Sequence, residues 1–537
     1  MENIYSIVSL SFVAMSSLAI ILRIRRLRKK SRRPLPPGPW GYPVVGCLPA
    51  MIKNKPTFRW IHKIMEEMNT EIACIPLGST NVIAVSSPEL ARELLKKQDA
   101  IFATRPAYSM SAWMTSGFLT TVLTPSGDQW KKMKKVLVSD VLSPATHQRL
   151  HDKRREEADH LVRYVYNQCR GVVAADGGGD VDLRVATRHY CGNVIRKLVF
   201  GKRFFGAGAA DGGPGVEERE HVDGLFTILM YIYGFAVADY LPWMEVFDID
   251  GHKKIINDAI NDVRKYQDDE IAERVEMWKR GARTTSDDIL DVLICLRGTD
   301  NTSLLSIQEI KAQITCDHDD DSQEIMLAAV DNPSNAVEWA IAEMINKPSI
   351  LDRAREELDR VVGKNRLIQE SDFPKLNYIK ACIKEAFRLH PIAPFNVPHE
   401  STQDTVVGDY FIPKGSHVLL SRTGLGRNPR VWTDPLEFKP ERHIPHKDFD
   451  VHLGDPELRM ISFSTGRRGC IGVLLGTAMA TQLLASLIQG FHWRASPKAG
   501  KVELVESETD LFMHKPLIAH ATPRLEQNVY LQLFGNN

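Results

Sequence analysis

Hydrophobic residues recur every three to four positions over much of this chain, the spacing that places them on one face of an α-helix. The stretches with this period are residues 128–141, 147–168, 253–279, 306–346, 349–362 and 374–389. Two regions have short apolar runs bounded by turn residues instead, and they predict a hairpin at residues 72–85 and a second at residues 405–421. The pattern predicts a mainly α protein with small β-sheets.

The first 39 residues differ from the rest and predict a membrane anchor. Residues 4–22 are uncharged and mostly apolar, a run just long enough to cross a bilayer as a helix. A basic block follows up to Arg33, and by the positive-inside rule it stays in the cytosol. A cleaved signal peptide fits less well, because the charge follows the apolar run and no small-residue cleavage site is evident. We expect a single transmembrane helix at residues 1–22, a basic stop-transfer block and proline-rich hinge at residues 23–39, and one large domain at residues 40–537.

The charge balance and the cysteines exclude several classes of protein. The 68 Lys and Arg residues nearly cancel the 67 Asp and Glu residues, so no global charge favours nucleic acid as a partner. The eight cysteines include no Cys-x-x-Cys pair, which argues against a zinc site or a disulfide framework. We expect free thiols in a reducing compartment.

Candidate chemistry concentrates in the loop at residues 463–472 (FSTGRRGCIG), which precedes an apolar helix. Its glycines permit tight turns, so Cys470 can lie under a flat macrocycle with amide N–H groups directed at its sulfur. A cysteine thiolate on haem iron promotes O–O cleavage, as a monooxygenase requires. Phe463 would shield the sulfur, and Arg468 could pair with a haem propionate. Most lone cysteines are simply buried, so the interpretation depends on the whole motif.

This loop, together with residues 385–388 (EAFR) and 440–442 (PER), resembles the cytochrome P450 superfamily, and the resemblance extends from Pro34 to the C-terminus. It implies the cytochrome P450 fold, haem b as cofactor and Cys470 as the thiolate ligand of the iron. Residues 40–537 would then be the haem-thiolate catalytic domain, facing the cytosol on the endoplasmic reticulum membrane. Electrons would come from NADPH through a flavoprotein reductase, the expected protein partner.

The same resemblance assigns a structural role to three charged residues. Glu385, Arg388 and Arg442 are expected to form a buried charge network. Removing one partner would strand a buried charge at a cost of about 3 to 5 kcal/mol. Without the resemblance, the Glu385–Arg388 spacing would indicate only an ion pair on a helix surface.

Further cations are expected around the haem. Trp130 and Lys134 resemble a helical Trp-x-x-x-Arg element whose cation faces a propionate, although lysine lacks the bidentate fork of arginine. His399 falls where many relatives have a propionate-binding arginine, and an exposed loop histidine is the alternative. The cations that could form a basic patch for the reductase, or merely a solvated helix face, are Lys131, Lys132, Lys135 and Arg467.

Residues 328–336 (AAVDNPSNA) align with the oxygen-activation motif of the family, in which an acid precedes a threonine. Asn332 replaces the threonine here, and an amide can hold water but is a poor proton relay. Proton delivery would therefore depend on Asp331, ordered water or the substrate, unless Asp331 only satisfies a kinked helix. Pro333 removes one backbone donor and should kink the helix beside the oxygen site.

Four segments closely resemble one plant group, the aldoxime-forming amino-acid N-monooxygenases. They are residues 331–336 (DNPSNA), 440–443 (PERH), 56–60 (PTFRW) and 187–193 (TRHYCGN). The resemblance implies that the amine of an L-amino acid is hydroxylated twice with O2, and that loss of water and carbon dioxide leaves an aldoxime. Such aldoximes feed cyanogenic glucosides, glucosinolates or defence volatiles. A haem-thiolate carbon hydroxylase or isomerase is the alternative.

The substrate pocket and one insertion qualify this interpretation. The pocket would draw on residues 117–121, on Phe235 or its neighbours and on residues 394–397, whose apolar character suits phenylalanine or a branched aliphatic amino acid. Core packing is the alternative for these aromatic residues, and for Phe235 it is favoured. Residues 315–323 (TCDHDDDSQ) place clustered aspartates where the family's helix should continue, and such a segment should break the helix or bulge into solvent. If it disrupts the core, the protein would be a catalytically impaired haem protein.

Overall fold

The computed structural model describes residues 33–170, 177–232, 234–314, 324–446, 449–497 and 500–534. Helices dominate this part of the chain, as the hydrophobic period predicts. The α-helices, α1 to α19 in chain order, are Leu48–Lys53, Thr57–Glu67, Pro88–Arg92, Asp99–Phe102, Ser109–Met114, Asp128–Val136, Pro144–Arg149, His151–Arg170, Leu183–Phe200, Val216–Ile232, His252–Lys279, Ile289–Cys295, Ile307–Ile314, Glu324–Asn346, Pro348–Val361, Asn377–Leu389, Arg422–Gly426, Val473–Gly490 and Gln527–Leu531. Single π-helical turns at Glu93–Lys97 and Leu137–Val141 continue α3 and α6. The 3₁₀ helices are Val237–Asp239, Pro242–Phe247, Glu370–Lys375, Pro440–His443, Gly466–Arg468 and Gln532–Phe534.

Three small sheets accompany the helices. Their strands, β1 to β9 in chain order, are Ile72–Leu77, Thr80–Val85, Gly179–Asp182, His399–Glu400, Thr405–Val407, Tyr410–Ile412, His417–Leu420, Phe491–Ala495 and Ile518–Pro523. The sheet orders are β1-β2-β7-β4, β3-β9-β8 and β5-β6. Strands β2 and β7 pair in parallel, with Val82 opposite His417, and the other pairs are antiparallel. The prediction of a mainly α fold with small β-sheets is confirmed.

The two predicted hairpins have different outcomes. Strands β1 and β2 form the first one around a tight turn at Gly78. Residues 405–421 do not form a single hairpin, because only β5 and β6 pair with each other. Strand β7 joins β2 in the first sheet instead, and its four residues are all buried there. Long-range burial, which the local pattern cannot report, decides the pairing of β7.

Helix α14 forms the centre of the main helical layer and packs against α9, α16 and α18. Pro333 lies inside α14 without ending it, and the kink expected at this proline stays a prediction. Among the described residues, α18 is the one helix long and apolar enough to cross a membrane, but 78% of its apolar window is buried in the core. An all-round apolar surface is what a central core helix requires.

Several predictions fall on residues that the structure does not describe. The expected transmembrane helix at residues 1–22, most of the basic block and the acidic segment 315–323 lie outside the described residues. The proline-rich hinge is described from its last basic residue onward. Two carbonyl groups of this described part accept hydrogen bonds from the sheet region, Pro34 O from Phe411 N (2.8 Å) and Pro37 O from Cys74 N (2.8 Å), so residues 34–37 lie against the domain.

Candidate functional site

Cys470 ends the loop that precedes α18. Its backbone N–H donates to Phe463 O at 2.8 Å, which closes the loop. Gly466 has a φ of +73°, and a Cβ there would lie 2.5 Å from the carbonyl oxygen of Leu95, so no other residue fits without a shift. Much of the Cys470 side chain is accessible, but the accessible surface faces an internal cavity. Among the described residues, the fold therefore presents one cysteine thiol to this cavity.

The electrostatic setting of Cys470 is mixed. Burial raises the pKa of the thiol, while the backbone N–H of Gly472 and the charge of Arg422 lower it. The protein alone therefore favours the thiol. A bound metal ion would supply the positive charge that holds a thiolate.

The cavity above Cys470 has a volume of about 300 Å³. Helix α14 forms one wall with Ala328, Ala329 and Asn332, and apolar residues of α10 such as Ile228 and Ile232 form another. Cationic side chains also reach the cavity, namely Arg105, Lys134, Arg467, Arg468 and Arg422. A large apolar group that carries anionic substituents would match these walls.

Trp130, Lys134 and Arg468 lie together at the cavity wall. Lys134 Nζ is 5.2 Å from the centre of the Trp130 ring, and the Arg468 guanidinium is 4.3 Å from it. Lys134 Nζ donates to Arg467 O at 2.6 Å. The carbonyl groups that accept from Arg468 belong to Ala103 (2.6 Å), Thr121 (2.9 Å) and Thr124 (2.7 Å). Burial and the neighbouring charge of Arg468 lower the pKa of Lys134, so an anion beside both cations would relieve their repulsion.

His399 lies in β4 and lines the same cavity. Its Nδ1 donates to Phe102 O at 2.6 Å. Burial and the charge of Arg105 lower the pKa of His399 well below its usual value, so the ring is neutral and Nε2 carries a lone pair. His399 can therefore donate to a carboxylate from Nε2 only after it gains a proton.

Arg105 is a cavity residue that sequence reasoning missed. Its buried guanidinium donates to Val122 O (2.9 Å) and to the carbonyl groups of Val397 and Pro398 (both 2.8 Å). These bonds hold one cation at the point where the segment after α4 meets the segment before β4. A lone arginine in a loop gives no periodic signal, and only the fold brings it to the cavity.

The two catalytic candidates on α14 point in different directions. Asn332 lines the cavity, and its Nδ2 donates to Ala328 O at 3.1 Å. Asp331 is buried and does not line that cavity; the groups whose charges act on its carboxyl include Arg188. Burial raises the pKa of Asp331 to about 8, although the charge of Arg188 opposes the rise. Its Oδ1 has no hydrogen-bond partner in the described part of the chain. The fold thus brings Asn332, but not Asp331, to the cavity.

Glu385 is the centre of a buried ionic network. Arg388 donates to both of its oxygens (2.7 and 2.8 Å), Arg442 Nε donates at 2.9 Å, and His443 Nε2 lies 2.8 Å from Oε2. Burial alone would raise the pKa of Glu385, but the hydrogen bonds from Arg388 and His443 lower it to about 2. The predicted three-residue network therefore has a fourth member, His443.

Comparison with known proteins identifies the family. The cytochrome P450 family profile matches residues 36–521. The chain belongs to the cytochrome P450 family. Tyrosine N-monooxygenase of Sorghum bicolor is 55% identical over 93% of this chain and 87% of its own length. A phenylalanine N-monooxygenase of Prunus mume is 55% identical over 93% of this chain and 92% of its own length. Valine N-monooxygenase 1 of Manihot esculenta is 52% identical over 97% of this chain and 93% of its own length. Within the cytochromes P450, the chain groups with plant amino-acid N-monooxygenases.

A cytochrome P450 binds haem through an axial thiolate and receives electrons from NADPH through a reductase, and the cavity of this protein fits that group. Cys470, Ala328 and Ala329 line the cavity, so Cys470 would be the thiolate ligand of a bound haem and the two alanines would provide an apolar wall. Lys134 and Arg468 are adjacent cations that would gain from an anion. The chemistry of the donor set therefore agrees with a dianionic haem.

The predicted basic patch of this cytochrome P450 is only partly available to a reductase. Lys131 and Lys135 are exposed on α6. Lys131 pairs with Asp128 at 3.0 Å, and Arg467 pairs with Asp99 at 3.3 Å. Lys132 instead turns toward Glu309, a largely buried carboxylate at 2.6 Å. The exposed cations of α6 remain the candidates for contact with an acidic partner.

Proposed function

We propose that this cytochrome P450 converts an L-amino acid to its aldoxime by two N-hydroxylations, dehydration and decarboxylation, using O2 and electrons from NADPH. The observation that supports the proposal is Asn332, an amide that lines the cavity at the position where oxygen-activating relatives have a hydroxyl group. The 55% identity with tyrosine and phenylalanine N-monooxygenases supports the same reaction class. The product would serve plant defence metabolism, as a precursor of cyanogenic glucosides, glucosinolates or volatile aldoximes.

We further propose which residues hold the haem. Cys470 binds the iron, and Phe463 shields its sulfur. Lys134, Arg468 and protonated His399 pair with the propionates, while Trp130 packs beside the two cations. Arg105 joins this set because it lines the same cavity. When bound, thiolate-ligated haem supplies the activation of O2.

The chain's own residues orient the substrate. The apolar walls from α10 and α14 exclude water and favour the side chain of phenylalanine or of a branched aliphatic amino acid, as the sequence predicts. The Asn332 amide can hold the substrate amine or a water molecule, since it both donates and accepts. Asp331 lies on the side of α14 that faces away from the cavity. It is proposed as a proton donor, because its carboxyl stays protonated near neutral pH.

The proposed domain organisation places residues 1–22 in the endoplasmic reticulum membrane, residues 23–39 at the membrane surface and residues 40–537 in the cytosol. Exposed apolar residues support this arrangement. Trp40 near the hinge is fully exposed, and Trp243 and Phe247 are 65% and 69% exposed. The two segments that carry these residues lie near the β1–β2 turn, because a Cβ at Gly41 would lie 2.8 Å from Pro76 Cγ and a Cβ at Gly78 would lie 2.4 Å from Tyr240 O. Exposed aromatic residues on one side of a protein are typical of a membrane contact.

Product analysis tests the reaction. Microsomes that contain the full chain and a plant NADPH reductase are incubated with each standard L-amino acid, and extracts are searched for aldoximes. We expect an NADPH-dependent aldoxime from one or a few amino acids. If the reduced protein shows the carbon-monoxide Soret band of thiolate ligation but forms no aldoxime, the N-hydroxylase assignment fails for these substrates, and a carbon hydroxylase or isomerase replaces it. If the Soret band is also absent, the favoured interpretation becomes a catalytically impaired protein whose core is disrupted by the segment at residues 315–323.

A further inference from the structure

A second, smaller cavity lies beside the main one. Its volume is about 40 Å³, which corresponds to about three water molecules. The two cavities share walls, and the side chains that line both include Met114, Ile232 and Asn396. A substrate in the main cavity can therefore reach the second one past a single layer of side chains.

The second cavity combines aromatic walls with polar groups. Tyr231, Phe235 and Phe395 contribute aromatic surface. The polar groups that line it include Tyr108, Asp239, Tyr240 and His252. They come from separate segments of the chain, namely the residue before α5, the 3₁₀ helix Val237–Asp239 and the start of α11. No local sequence pattern links them.

Most of these polar groups already have partners. Tyr108 Oη lies 2.7 Å from His417 Nδ1, and the Tyr108 and Tyr240 rings are 6.0 Å apart. His252 Nδ1 lies 3.1 Å from Asp250 Oδ2. Asp239 Oδ1 is shielded from solvent and has no hydrogen-bond partner among the described residues, and His252 Nδ1 forms no hydrogen bond there either despite its proximity to Asp250. A buried acceptor without a partner is costly and marks a place where a ligand atom or water should bind.

We propose that the second cavity is a side-chain subsite in which Asp239 forms a hydrogen bond with a hydroxyl group at the far end of an aromatic side chain, so that L-tyrosine is preferred over L-phenylalanine. The proposal rests on the proposed function. Since the amine reacts in the main cavity, the end of the substrate that reaches the second cavity is the side chain. The aromatic walls match a ring, and the Asp239 carboxyl matches its hydroxyl.

The protonation state of Asp239 agrees with a neutral partner. Burial, and then the negative charge of Asp250, raise the pKa of Asp239 to about 8. A protonated carboxyl both donates and accepts, as a phenol does, and the pair buries no net charge. A cationic side chain fits less well, because Arg105 lines both cavities.

The test compares aldoxime formation from L-tyrosine and L-phenylalanine by the full, haem-loaded protein and by two Asp239 variants. We expect the wild type to have a kcat/KM at least tenfold higher for tyrosine, since a site that hydrogen-bonds a substrate hydroxyl discriminates against an analogue without one. Asp239→Leu should lower the tyrosine-to-phenylalanine ratio about tenfold or more. Asp239→Asn keeps a donor and an acceptor and should retain most of the preference. The ratio cancels differences in the amount of folded enzyme.

Matched controls and binding data separate the outcomes. Asp258→Leu makes the same change at an exposed carboxylate of α11 and should leave the ratio unaltered. Dissociation constants can be measured from the spectral shift that the substrate induces in the haem. We expect the substrate with the higher kcat/KM to have the lower dissociation constant. Equal or better use of phenylalanine by the wild type, or a ratio that Asp239→Leu does not change, overturns the subsite; Asp239 then holds only water. Aldoxime from other amino acids would leave the proposed function intact in that case, whereas no aldoxime from any amino acid defeats the proposed function itself. If Asp239→Leu yields no folded protein, the wild-type ratio still decides.

Discussion

Cys470 carries the central residue-scale prediction, because the other proposed haem contacts depend on the position of its sulfur. Replacing it with serine removes the thiolate, and we expect the carbon-monoxide difference spectrum of the reduced protein to lose its thiolate-ligated Soret band. Cys295→Ser is the matched control, since Cys295 is a partly exposed thiol at the end of α12. A Soret band of unchanged position in folded Cys470→Ser protein would rule out this residue as the ligand.

His399 leads to a pH prediction at the same scale. Its pKa lies well below the usual value in the protein alone, and a carboxylate at Nε2 would raise it. That contact is present below the raised pKa and is lost as the pH rises through it. We expect haem transfer from the wild type to excess apomyoglobin to accelerate about tenfold as the pH rises through the raised pKa of His399.

The variant His399→Gln supplies the comparison, since glutamine does not titrate. Its haem transfer rate should vary less with pH and should approach the wild-type rate at alkaline pH. If the haem transfer rates of the two proteins change with pH in parallel, His399 does not contact a propionate. The neutral state inferred for His399 in the protein alone would then be its state in the loaded enzyme as well.

At the scale of secondary-structure elements, the Glu385 network joins α16 to the 3₁₀ helix Pro440–His443. The pKa of Glu385 falls from its ordinary 4.5 to about 2. A depressed carboxyl pKa stabilises the fold above the unfolded value, and that stabilisation is lost as the pH falls from about 4.5 toward 2. A difference of this size corresponds to about 3 kcal/mol.

We therefore expect Glu385→Gln to lose the Soret band at a much lower urea concentration than the wild type at neutral pH, because Arg388 keeps a buried charge with a weaker partner. The difference in the urea concentration at which the two proteins lose the Soret band should decrease at acidic pH, where wild-type Glu385 also becomes protonated. Glu441→Gln is the control, since Glu441 is 44% exposed in its pair with Arg353. An equal effect of both substitutions would show that burial of the Glu385 network does not contribute to the stability of the fold against urea.

The elements also show what the sequence alone could predict. The Cys470 loop was predictable because its glycines and its cysteine are neighbours in the chain. The direction of Asp331 was not, since the periodic pattern marks α14 as apolar nearly all round and the packing of α9 decides which face meets the cavity. The second cavity was also out of reach, because Tyr108, Asp239 and His417 meet only in the folded protein. Arg105 is a similar case.

At the scale of the whole molecule, the exposed apolar residues predict membrane contact beyond the anchor. A chain that begins at Arg33 should still bind phospholipid vesicles through Trp243 and Phe247, whose side chains are largely exposed. Trp243→Ser with Phe247→Ser should reduce the vesicle-bound fraction several-fold in flotation assays, while the Soret band persists. Leu436→Ser changes an apolar residue that is 71% exposed elsewhere and should have no effect. Equal binding by all three proteins would mean that Trp243 and Phe247 do not contact the membrane, and no binding by any of them would locate membrane contact in the first 32 residues alone.

The parallel pairing of β2 with β7 has a consequence for how the protein is made. Val85 pairs with Leu420, so the first sheet cannot be completed until most of the chain has left the ribosome. At about 5–20 residues per second, translation of the intervening segment takes on the order of tens of seconds. During that time the β2 edge of the early hairpin has no partner from its own chain and is open to aggregation. Chaperones at the site of synthesis would have to protect this edge, and incorporation of the cofactor would have to wait for the last third of the polypeptide.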